Sequence, residues 1–272
     1  MKLTKTIVAT VSALLLVTSA FADEAYDIVK KSTSLPVPDT STAMMMLYNI
    51  EKNGAIEEMP MIQHGRSRDG GLVDTVFEIQ GPAKKKNTRV LQQERDKRAD
   101  DRWIYMPDLK TTRRIPIGDR YKSFVGCEFT YNDMGVRHVD EDKHEMLDTN
   151  VTVTVSSGKT YTCWKIKSVP YKKSDIEYSY RIQYIDKESY LPAKIEYFEK
   201  KDNTKLLKTY TTEDWFWLTS KTGKKYAMRM KARIVTEKTG RQTLLEIKNP
   251  VMDGPMSAGY FTQQYLQSGK AK

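Results

Sequence analysis

The stretch "DDRWIYMPDLKTTRRIPIGDRYKSFVGCEFTYND", Asp100 to Asp133, begins as a β-hairpin and ends as an aromatic loop. "DRWIYMP" and "KTTRRIPI" have strand composition and are joined by a turn at Pro107-Asp108. Residues two apart on a strand face the same way, so Trp103 and Tyr105 share a face, and the adjacent Arg113 and Arg114 point to opposite faces. The loop that follows is rich in Gly, Asp and aromatics, and a short helix is expected within Gly118–Met134. Nothing in the stretch sets a nucleophile beside a base.

Outward from this hairpin, strand signals continue in both directions. "TAMMMLYNIEKNGAIEEMPMIQHGRS" reads as two strands around Asn53-Gly54, a strong hairpin turn. "LVDTVFEIQGP" and "NTRVLQQERD" add two more. Toward the C-terminus, hairpins turn at Ser157-Gly158, Asp202-Asn203 and Thr239-Gly240. In "IEYSYRIQYID", Tyr178, Tyr180, Ile182 and Tyr184 are expected on one face. Helix is predicted from Asp23 to Ser34, stopped by "LPVPDTS", and again in the tail around Tyr260, Phe261, Tyr265 and Leu266. The predicted fold is mainly β: one strongly curved antiparallel sheet of ten to twelve strands, forming an open or half-closed barrel, because a sheet this long must curl. Met44, Met46, Phe77, Trp103, Tyr105, Tyr180, Tyr184, Trp215, Trp217, Met228 and Met230 are read as its concave lining. Collectively such a Met- and Tyr-rich lining suits an adaptable pocket, although for any single residue ordinary core is the better reading.

The ends bound the compartment. Lys2 and Lys5 precede an apolar run, Ile7 to Val17, and the small-x-small triplet Ala20-Phe21-Ala22. Residues 1–22 therefore read as a secretory signal cut before Asp23, and 23–272 as a single domain placed in the periplasm. No later segment has about 20 consecutive apolar residues, so no stable membrane insertion is expected. The formal net charge is +10, two of it from Lys2 and Lys5. An exported basic chain does not meet chromosomal DNA. Lipid headgroups, lipopolysaccharide-like molecules and acidic proteins are the anionic partners within reach, but for scattered charge solubility alone is the better account.

Enzymatic motifs are absent from the sequence: there is no G-x-S-x-G, no phosphate-binding glycine loop and no H-E-x-x-H. "HVDEDKHE", His138 to Glu145, matches no metal-ligand spacing and reads as a solvated turn. No metal, cofactor or catalytic residue is expected. Cys127 and Cys163 are candidates for a disulfide worth about 3 kcal/mol, with two separate buried thiols as the alternative; pairing is the expectation carried forward.

Trp-Ile-Tyr-Met-Pro-Asp-Leu-Lys from Trp103, then Arg113-Arg114-Ile115, Asp119-Arg120, Ser123-Phe124-x-Gly126, Phe129-x-Tyr131 and Asp133 together resemble the LolA-like outer membrane lipoprotein-sorting proteins, as does the tail "YFTQQYL". The resemblance implies a half-barrel with helices plugging its concave side, and a carrier of lipid or lipoprotein acyl chains across the periplasm. It also implies an inner-membrane exporter as a partner; a non-carrier sensor or exporter accessory on the same fold is the alternative. Cys127 departs from the family pattern, where a small polar residue is expected. On this reading Trp103 and Tyr105 line the hollow, and Phe124, Phe129 and Tyr131 belong to its cover. One of Arg113 and Arg114 turns inward, toward an acid such as Asp119 or Asp133 or toward an anionic headgroup.

Overall fold

A computed structural model describes residues 23–96 and 98–271; the expected signal segment lies outside the described residues. Thirteen strands form one antiparallel sheet. They are β1 (Thr40–Ile50), β2 (Ile56–Ser67), β3 (Val73–Ile79), β4 (Arg89–Gln93), β5 (Asp101–Met106), β6 (Thr111–Arg114), β7 (Asp142–Thr154), β8 (Thr160–Pro170), β9 (Tyr178–Asp186), β10 (Pro192–Glu199), β11 (Leu206–Thr219), β12 (Lys225–Thr236) and β13 (Gln242–Met252). Their spatial order is β6-β5-β4-β3-β2-β1-β13-β12-β11-β10-β9-β8-β7. The chain thus meanders out to one edge at β6, crosses to the opposite edge at β7, and meanders back until β13 pairs with β1. The two edges do not pair with each other, so the barrel is open.

The direction of curl follows from the core. One apolar cluster contains Phe77, Val90 and Ile104 from β3–β5 together with Ile195, Tyr197 and Tyr210 from β10 and β11. Strands so far apart in the sheet, at about 4.8 Å per step, meet only if the sheet curls toward this face. The face is therefore the concave one. Helix α1 (residues 23–33) packs on the same side over β8 and β9, where Ala25, Ile28 and Val29 meet Ile166 and Ile185. Helix α2 (Gln263–Ser268) and the 3-10 turn before it (Ala258–Phe261) cover the convex face instead, with Phe261 of the turn and Tyr265 and Leu266 of the helix against Val76 and Leu91, residues that alternate with the concave Phe77 and Val90. Thr262 caps α2 by accepting from Tyr265 N, and Gly269, at φ 67°, ends it.

Several local expectations change. The Gly118–Met134 region holds only a 3-10 turn, Ile117–Asp119. Tyr178 leaves the face of Tyr180, Ile182 and Tyr184 and joins the concave core, because the β9–β10 register shifts between Tyr197 and Glu199. "HVDEDKHE" is no solvated turn: Asp142 and His144 start β7 and are buried. Asp142 pairs with Arg137 (2.8 Å) and Arg181 (3.1 Å), and His144 bonds Ser168 Oγ and Val139 O. Burial lowers the pKa of His144, so the ring is held neutral.

Candidate functional site: the plugged concave face

The hollow of the sheet is filled by the segment between β6 and β7. Ser123 and Thr130 form a bridge, Phe124 N donates to Phe129 O (2.7 Å), and Tyr131 N to Lys122 O (3.2 Å). The result is a miniature hairpin whose turn is Val125-Gly126, both at positive φ (49° and 87°). Glycine takes that conformation freely and a β-branched valine does not, so Val125 carries local strain. This fold-back drives Phe124, Cys127, Phe129 and Tyr131 into the concave core. The Phe124 ring meets Phe77 edge-on at 5.2 Å and Tyr131 at 5.5 Å.

Polar contacts fasten this plug. Lys208 of β11 is buried (side chain 4% exposed) and pairs with Asp133 at the end of the plug (2.8 Å) and with Glu177. Asp133 also accepts from Thr130 N and Thr130 Oγ1, each at 2.7 Å. Burial opposes the charge on Lys208, but the Asp133 and Glu177 carboxylates outweigh it and raise the pKa. Asp133 behaves in the same way with opposite sign: despite burial, Lys208 and Thr130 hold its pKa below the ordinary value. Glu177 is raised, because burial prevails over its share of Lys208. At the plug's turn, Glu128 N donates to Thr243 Oγ1 (2.9 Å), and the Glu128 carboxylate takes Thr236 Oγ1 and Arg241 (3.3 Å). Buried Arg102 and Arg120 donate to Tyr131 O and Asp100 O.

The residues singled out from sequence separate into three places. Phe124, Phe129 and Tyr131 fill the hollow. Trp103 and Tyr105 do share a face, but it is the convex one, where they pack against the α2 cluster while Ile104 faces the hollow. Met44 and Met46 likewise alternate with the core residues Met45 and Leu47, and Met44 is exposed. Arg113 and Arg114 lie opposite Ile104 and Trp103, hence on opposite faces, but both are exposed because β6 is an edge strand. Neither turns inward to an acid: Arg114 reaches Asp101 (2.7 Å), and Asp119 pairs with Lys122 at the surface. Asp101 already holds Arg95 and Arg98, so Arg114→Leu and Arg113→Leu should each change unfolding free energy by less than about 1 kcal/mol in urea titrations.

The disulfide expectation fails. Both cysteines are free and buried, Cys127 in the plug core and Cys163 in a cluster with Val153, Tyr161 and Tyr184. Those clusters lie on opposite faces of the sheet, since Cys163 is in phase with Tyr184 whereas Gln183 is paired with the core residue Ile195. Burial pushes both thiols up to about 12. Native protein should therefore resist a thiol reagent at neutral pH, and two thiols should titrate after denaturation; fast native labelling would contradict the packing.

Lys208 was not anticipated, although it is in phase with Tyr210 and Thr212, and a lysine in phase with buried positions signals a buried charge. Glu177 lies in a loop and left no such mark. A second concavity of about 450 Å³ opens on the other face, lined by Val151, Val153, Tyr184 and Val235 with Lys194 and Arg233.

The sequence model of a family whose description reads "Uncharacterized protein" matches residues 71–268, which contain the plug and both edges of the sheet. The chain belongs to this family, and its fold is LolA-like. No curated protein matches the sequence. Among solved structures, it is similar to an outer membrane lipoprotein-sorting protein domain from Vibrio parahaemolyticus, with TM-score 0.78 and 21% identity over 90% of this chain and 99% of that one. A DUF1329 family protein from Desulfovibrio piger gives TM-score 0.79 and 20% identity, over 91% and 99% of the two chains. A LolA superfamily protein from Nitrosomonas europaea gives 0.61 and 15%, over 89% and 98%. At these identities the likeness concerns the LolA-like fold: the open curled sheet and its meander. None of the described helices is long and apolar enough to cross a membrane.

Proposed function

We propose that this chain is a periplasmic carrier that shelters lipid or lipoprotein acyl chains in the hollow of its sheet and delivers them toward the outer membrane. The observation that carries the reading is the plug: a non-helical segment whose aromatic side chains occupy the hollow and whose polar fastenings lie at its ends. Each ring contributes roughly 2–3 kcal/mol on burial, and each sheltered methylene about 0.8 kcal/mol. Phe124, Phe129 and Tyr131 are thus matched by an acyl chain of about ten methylenes, so exchange of plug for cargo is near balance. A soluble carrier needs that balance in order both to load and to release. An inner-membrane exporter fits as donor, no cofactor is required, and no catalytic role is assigned. The names of the Vibrio and Nitrosomonas structures accord with this role.

The second reading, a sensor or exporter accessory, is favoured by one observation: Phe124 is fully buried and the hollow is occupied by the chain itself. Native mass spectrometry on protein purified gently from its own host separates the two. The carrier should retain adducts of lipid mass that are lost on denaturation. Adduct-free protein that instead co-purifies with a protein partner would favour the second reading.

A further inference from the structure

Between Thr212 and Lys231 the sheet narrows to two strands. β10 pairs with β11 only over Leu206–Thr211, and β13 with β12 only over Lys231–Val235. Beyond those limits β11 and β12 pair with each other alone among the described residues, so Asp214–Met230 is a free β-ribbon. A ribbon in water should keep at least one face polar. This one carries large apolar side chains on both. Residues directly opposite share a face, so Trp215, Trp217 and Ala227 lie on one side, together with Arg229, Thr219 and Lys225, and Phe216, Leu218, Tyr226 and Met228 on the other. Trp217 is 51% exposed and Phe216 49%. At the turn, Lys221, Lys224 and Lys225 are all exposed.

The ribbon is braced rather than loose. At its root, Glu213 accepts from Ser156 Oγ and Ser157 N, and Lys159 pairs with Asp214 and lies over the Phe216 ring. At its tip, Asp253 accepts from Thr222 Oγ1 (2.9 Å) and Tyr226 Oη (3.0 Å), and Lys224 reaches Asp39 (2.9 Å). Lys221 and Lys225 have no ion-pair partner among the described residues. Exposed aromatics are thus held in place beside unneutralised cations.

Trp and Phe beside lysine is the chemistry of a membrane interface: the rings sit at headgroup depth and the ammonium groups meet lipid phosphate. We propose that the ribbon Asp214–Met230 is a docking arm that rests in the headgroup region of a bilayer carrying anionic lipid. The contact is superficial and reversible, since the arm exposes few rings and no spanning segment. It goes beyond the carrier reading and does not depend on cargo.

The test is cosedimentation of the full chain with phosphatidylcholine vesicles, with and without phosphatidylglycerol. Wild type should bind the mixed vesicles, less so at high salt, and pure phosphatidylcholine poorly. Lys221→Glu with Lys225→Glu should weaken binding to the mixed vesicles by at least roughly 25-fold, at about fivefold per lysine. Phe216→Ser with Trp217→Ser should weaken it by about tenfold or more. As a further check, brominated lipid should quench wild-type tryptophan emission, and Trp215→Phe with Trp217→Phe should remove most of the quenching. Wild type that does not sediment with anionic vesicles, or binds them unchanged in both double variants, would overturn the proposal. So would quenching that survives replacement of both Trp215 and Trp217, or a ribbon that captures a protein and no vesicle.

Discussion

Replacing Lys208 by methionine should lower the unfolding free energy by about 3–5 kcal/mol at neutral pH, the range for breaking a buried ion pair by removing one partner. The reason is what stays behind. Asp133 and Glu177 would face each other across the space the ammonium group occupied, in a site where Lys208 is 4% exposed. Acid should narrow the gap between variant and wild type. In wild type the Asp133 pKa is depressed, so its contribution is present at neutral pH and lost as pH falls through the folded pKa. In the variant the same carboxyl is raised by burial, and protonation relieves it. Glu177 runs opposite to Asp133 in wild type: its raised pKa makes its ionisation unfavourable as pH rises. The combination Lys208→Met, Asp133→Asn, Glu177→Gln should recover most of the loss. Urea unfolding checks all three. A loss under about 1 kcal/mol, or no recovery in the combination, would mean that the plug is not held by charge.

Phe124→Ala removes the ring at the centre of the plug. A fully buried phenylalanine cut to alanine costs about 3–5 kcal/mol, the cavity included. If the plug opens as a unit, most of that cost should appear as easier local opening, with a smaller change in global unfolding. The variant should therefore take up more lysophosphatidylglycerol than wild type in a filter or native mass assay, because the space is free and the plug competes less. Equal uptake, with the full penalty in the global midpoint, would make Phe124 plain core.

The strand architecture was legible because its signals are local. Asn53-Gly54, Ser157-Gly158 and Thr239-Gly240 sit at the turns of the observed hairpins, and alternation between them could only make strands. Which face of a strand is concave is not local. Met44 and Met45 are equally apolar, and only the packing of β1 within the curl selects Met45 for the core. The same one-residue parity put Trp103 and Tyr105 under α2 instead of in the hollow. The plug aromatics Phe124, Phe129 and Tyr131 were assigned to the cover of the hollow through the family resemblance of the block that holds them, and the structure places them in the hollow. Their fastening was not legible, because Lys208 meets Asp133 across 75 positions of chain. The cysteines failed for a related reason: spacing bounds a loop, but only the fold decides which face each thiol takes.

Hydrogen exchange at the plug tests the central claim, that the plug opens to let lipid take its place. Phe124 N and Tyr131 N are bonded within the plug, whereas Ile79 N is bonded to Thr88 O beside the sheet core. The account predicts that the two plug amides exchange faster than Ile79 in the free protein. With lysophosphatidylglycerol, below its micelle concentration, they should lose still more protection while Ile79 keeps its own. Plug amides that exchange only as fast as Ile79, and do not respond to the lipid, would contradict it.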